Sequence, residues 1–73
     1  MRVNFVSSMN FAKQLKEIRL SRDLTQQQLA NKLNVHQMTV CGWERGSREP
    51  AFDMLFKLAA VLECDPNYLL GWV

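Results

Sequence analysis

Four side chains of unlike chemistry stand close together in NVHQMTVCGWERG, residues 34 to 46. Met38, Cys41 and Arg45 recur at helical spacing and bring a thioether, a thiol and a guanidinium to one side. Gln37 sets an amide on the flank of that side, and Gly42 leaves bare backbone within it. The opposite side carries His36, Val40 and Trp43. Val40 and Trp43 must pack inward, so the mixed face is turned outward. It lacks the Glu–Lys pairs that ordinarily decorate a solvated helix. Donors, acceptors and apolar tips without an acid–base pair suit contact with another surface rather than turnover of a substrate.

The rest of the chain adds no reactive site. No nucleophile–base pair and no phosphate-binding glycine loop can be read, and Asp53, Glu63 and Asp65 form no paired carboxylate. No enzyme and no cofactor are expected. His36, Cys41 and Cys64 lack the ligand spacing of a zinc site, so no metal is expected either. Two cysteines far apart in 73 residues are no disulfide framework; free thiols and a cytoplasmic location are the expectation. No apolar run approaches the ~18–20 residues that span a bilayer, and MRVNFVSS is too short and polar for a signal peptide. A hydrophobic fraction of 48% is that of a globular chain. The net charge of +2 is compatible with nucleic acid without demanding it.

The elements that position the mixed face are all helical. Residues 1–8 are read as an N-terminal arm, and residues 9–73 as a single domain. Ser8 or Asn10 caps a first helix to about Arg22, striped by Phe11, Leu15 and Ile18. Thr25 with Gln28 three residues on is a capping box and opens a second helix, with Leu29, Ala30 and Leu33 on its apolar side. Asn34 tolerates the left-handed conformation that ends it. The third helix starts at His36 or Gln37 and runs to about Arg45, with Gly46 behind it. A fourth helix spans about Phe52 to Glu63, striped by Leu55, Leu58, Ala59 and Leu62. Asp65 before Pro66 caps a fifth, stopped by Gly71.

Helix, short turn, helix over about residues 25–45 is the geometry of a helix-turn-helix, whose second helix can enter the major groove of DNA. That spacing alone is weak evidence. The stretches LTQQQLANKLNV, TVCGWERGSREP and LFKLAAVLECDPNYLL are more specific, and with them the chain from Phe11 to Gly71 resembles the Cro/phage-repressor helix-turn-helix family. The resemblance implies an all-α, compact five-helix, lambda-repressor-like domain. It implies a transcriptional regulator that binds double-stranded operator DNA, as a homodimer on a near-palindromic site. Gln37, Met38, Cys41 and Gly42 match base-facing positions. A Gln amide can pair with adenine N6 and N7, and an apolar tip suits a thymine methyl. Gln26, Thr39, Arg45, Ser47 and Arg48 match positions that grip phosphates, and His36 is added to them at the helix start. Arg19 and Glu44 match a structural ion pair between the first and third helices.

Two positions depart from the family pattern. His36 stands where Ser or Thr is usual. Gly42 stands where a long polar residue is usual, at a propensity cost of about 0.8–1 kcal/mol against Ala. The expectation for Gly42 is a close approach of backbone to a base pair. Tyr68, Leu69, Leu70 and Trp72 are read as core or, for part of them, as a dimer interface. The competing function is a protein-interaction module, an antitoxin or adaptor on the same fold.

Overall fold

The computed structural model of the chain describes residues 9–71. The arm expected over residues 1–8, and the interface role expected for Trp72, fall outside them. Five helices follow in order: α1 Met9–Ser21, α2 Gln26–Leu33, α3 Gln37–Arg45, α4 Phe52–Leu62 and α5 Pro66–Leu70. No strand occurs among the described residues, and no helix among them is long and apolar enough to cross a membrane.

Local chemistry sets most of the boundaries. Thr25 Oγ1 accepts from the Gln28 backbone N–H at 3.0 Å, and Gln28 Oε1 accepts from the Thr25 N–H at 2.8 Å. Two orphan donors at the start of α2 are thereby satisfied. Asn34 ends α2 in the left-handed region, at φ 59. His36 caps α3 although imidazole is an uncommon cap: its Nδ1 accepts from the Met38 N–H at 3.1 Å. Asp65 Oδ1 accepts from the Asn67 N–H at 2.8 Å, behind Pro66 at the first position of α5.

The end of α4 is different. Glu63 takes φ 55, a conformation more usual for Gly or Asn. Arg22, just past the end of α1, explains how the turn is held. Arg22 Nε donates to the Leu62 carbonyl at 2.7 Å and Arg22 Nη2 to the Glu63 carbonyl at 2.9 Å. A cation there satisfies orphan carbonyls and complements the negative end of the helix dipole.

The core forms where the five apolar stripes meet. Phe11 and Leu15 of α1, Leu29 of α2, Val40 and Trp43 of α3, and Leu55, Leu58 and Leu62 of α4 are all buried. So are Leu69 and Leu70, at 0% and 9% exposure. This corrects the interface reading for those two residues. A helix of five residues holds its place mainly by its apolar side chains, and both leucines pack in the core cluster. Tyr68 is half-buried against the same cluster, and its carbonyl accepts from Gln14 Nε2 at 3.3 Å, tying α5 to α1.

Candidate nucleic-acid interface

The structure turns α3 as the wheel predicts for its core side, with Val40 and Trp43 buried. Met38 is 58% exposed, Gln37, Thr39 and Cys41 are half-buried, and His36, Arg45, Ser47 and Arg48 are exposed. Thr39 and Arg48 share a shallow groove between α3 and the start of α4, which Glu49 and Asp53 also line.

Gly42 is a correction. It is buried, and the reason lies in the loop that follows the helix. Residues 46–48 fold back over the last turn of α3. The Gly42 carbonyl accepts from the backbone N–H groups of Ser47 at 3.0 Å and Arg48 at 3.2 Å, and from Ser47 Oγ at 3.3 Å. A Cβ built on Gly42 would meet Arg48 Cδ at 2.7 Å, Cγ at 3.0 Å and Cβ at 3.3 Å. The missing side chain makes room for the stem of Arg48, not for a base pair. A helical wheel assigns a face but cannot show which later loop covers part of it. Gly42→Ala should leave stability within about 1 kcal/mol of the parent, because a propensity gain of that size opposes the crowding. It should displace the Arg48 side chain, which a shift of the Arg48 Nε–Hε resonance would reveal.

Behind the exposed face runs a chain of side-chain hydrogen bonds across α1, α2 and α3. Arg19 Nε donates to Glu44 Oε2 at 2.6 Å and Arg19 Nη2 to Glu44 Oε1 at 3.0 Å. The two side chains are only 8% and 3% exposed. Arg19 Nη1 also donates to the Leu24 carbonyl at 2.7 Å, bracing the turn before α2. Gln26 Nε2 donates to Glu44 Oε1 at 3.0 Å, and Gln37 Nε2 donates to Gln26 Oε1 at 2.6 Å. Sequence reasoning names all four residues but not the links from Glu44 to Gln26 and from Gln26 to Gln37. The available signal was that Gln26 and Gln37 each open a helix of one tightly turned pair.

Elsewhere the titratable groups offer little chemistry. Burial pushes the Cys64 thiol up from its ordinary value; Arg22 acts the other way, and Asp65 reinforces the rise. Cys64 is therefore a thiol at neutral pH, not a ready nucleophile. No group of three His, Cys, Asp or Glu able to hold a metal occurs among the described residues.

Comparisons with known proteins agree with this geometry. A family model described as helix-turn-helix matches residues 15–69. The HTH-type transcriptional regulator ImmR of Bacillus subtilis is 38% identical over 63 residues, 86% of this chain and 50% of that protein. The chain spans about half the length of the curated relatives it matches first. The P22 c2 repressor, solved in complex with a synthetic operator, superposes with a TM-score of 0.81 at 27% identity, covering 86% of this chain and 96% of that one. Hydroxypropylphosphonic acid epoxidase from S. wedmorenis gives a TM-score of 0.82 at 29% identity, covering 92% of this chain but 35% of that one.

Proposed function

The chain belongs to the helix-turn-helix family, of Cro and phage-repressor type, and on that premise we propose that it is a sequence-specific regulator of transcription, or the DNA-binding part of one. The observation that carries this is the outward face of α3: Met38 exposed, Gln37 and Cys41 half-buried beside it, and Arg45 and Arg48 exposed at its end. In this reading α3 lies in the major groove. The Gln37 amide meets a base edge and Met38 a thymine methyl, with Cys41 between them and the backbone. Gln26, His36, Thr39, Arg45, Ser47 and Arg48 hold phosphates. Arg48 is seated for that role by Gly42, which is no longer assigned to base reading. Catalysis is no part of the proposal. The epoxidase match covers 35% of that chain and supports a shared fold, not a shared activity.

Selection of preferred duplexes from a random library, read by gel shift, tests the proposal. An enriched sequence and an affinity that falls steeply with salt are expected. No enrichment at low salt would sink it and favour the protein-interaction module. Within the selected site, Gln37→Ala should cost about 1–3 kcal/mol and relax one base position. Equal loss on all sequences would make Gln37 a phosphate contact instead.

A homodimer is part of the proposal, with half-sites about 34 Å apart. With Leu69 and Leu70 in the core, it has to draw on other apolar surface. Phe52 and Phe56 of α4 are 66% and 51% exposed and stack edge to face, ring centroids 5.2 Å apart. Phe52→Asp should weaken self-association in sedimentation while leaving the monomer's melting temperature unchanged; an unaltered dimer would move the interface elsewhere.

A further inference from the structure

We propose that Glu44 fixes which way round the Gln37 amide faces, and thereby which bases Gln37 accepts. Arg19 and Glu44 are then positioning residues for recognition as well as a tie between helices. The inference rests on the reading of α3 as the recognition helix.

The argument is one of donors and acceptors. A carboxylate offers only lone pairs, so the end of Gln26 that faces Glu44 must be its NH2 group. Gln26 Nε2 lies 3.0 Å from Glu44 Oε1. An amide is planar and two-ended, so Gln26 Oε1 faces the other way, toward Gln37. That oxygen also can only accept, and Gln37 must answer with its NH2 group, 2.6 Å away. One hydrogen of Gln37 Nε2 is thereby committed. What Gln37 has left for a partner is Oε1 and the second N–H.

A free glutamine chooses either orientation, because its two ends are nearly equal in size. Turned one way it accepts from an exocyclic amine; turned the other it donates to guanine O6 or N7. Here the second orientation would set two carbonyl oxygens against each other at the Gln26–Gln37 contact. Reversing Gln26 as well would only move that clash to the Glu44 carboxylate. Glu44 cannot retreat, since both of its oxygens are held by Arg19. The Gln37 oxygen therefore selects a base carrying a major-groove amine. Adenine meets both remaining groups, through N6 and N7. Cytosine meets only the oxygen, through N4; guanine and thymine offer acceptors that reach only the second N–H and leave the oxygen unpaired.

The test uses the operator selected above, with the base opposite Gln37 changed from adenine to guanine. The ratio of the two dissociation constants is measured for the parent, Gln37→Ala, Gln26→Ala and Glu44→Gln, with a thermal melt of each. Gln26→Ala is the deciding variant, because it cuts the chain while leaving the Arg19–Glu44 pair intact. Gln26→Ala and Glu44→Gln should each lower the adenine preference by about tenfold at that base pair alone. If both weaken the two duplexes by one common factor while Gln37→Ala abolishes the preference, the network is scaffolding only. The inference then fails and the recognition reading stands. If Gln37→Ala leaves the preference intact, the inference falls together with the base-reading role of Gln37.

Discussion

Arg19→Ala should destabilise the domain by about 3–5 kcal/mol, the usual result of removing one member of a buried ion pair. The Glu44 carboxylate is 3% exposed and would keep only its bond from Gln26. The Leu24 carbonyl would lose its donor as well. A domain of this length has a total stability of roughly 4–11 kcal/mol, so the loss takes a large share and the variant should be partly unfolded near physiological temperature. Urea denaturation followed by circular dichroism measures it. Replacing both partners by apolar residues of similar volume, Arg19→Met with Glu44→Leu, should recover much of the stability, since no charge is left buried. A double variant as unstable as Arg19→Ala would show that the pair is worth more than its apolar substitute.

Leu69→Ala has the second large effect, and it decides between two uses of one side chain. At 0% exposure, packed with the core cluster, Leu69 should cost about 2–5 kcal/mol on truncation, the transfer term plus the cavity left behind. The shift in denaturation midpoint should be the same at every protein concentration, because the packing lies within one chain. A loss that vanished on dilution would return Leu69 to an interface.

Where local chemistry decides, the sequence is readable in advance. Thr25 with Gln28, Asn34, Gly46, Asp65 with Pro66, and Gly71 each carry their boundary in their own side chain or lack of one, and the structure uses all of them. The apolar stripes likewise place Leu15, Leu29, Val40, Trp43 and Leu58 in the core. The sequence is silent where a distant segment decides. Glu63 turns left-handed next to an arginine that follows α1, Gly42 is buried by the stem of a residue beyond the helix, and Gln26 is turned by a carboxylate from α3. The interface reading of Leu69 and Leu70 failed for a related reason. Apolar residues on a very short helix look the same in sequence whether they hold that helix down or receive a partner.

Arg22 bonds the carbonyls of Leu62 and Glu63 across 40 and 41 residues of sequence. A clasp of that reach has a consequence for the order of events during synthesis. The N-terminal helix leaves the ribosome long before the residues that fasten its far end exist. Arg19 can meet Glu44 earlier, but the Arg22 clasp has to wait until translation has passed Glu63. The domain therefore completes this clasp late, and a nascent chain halted before that point lacks it.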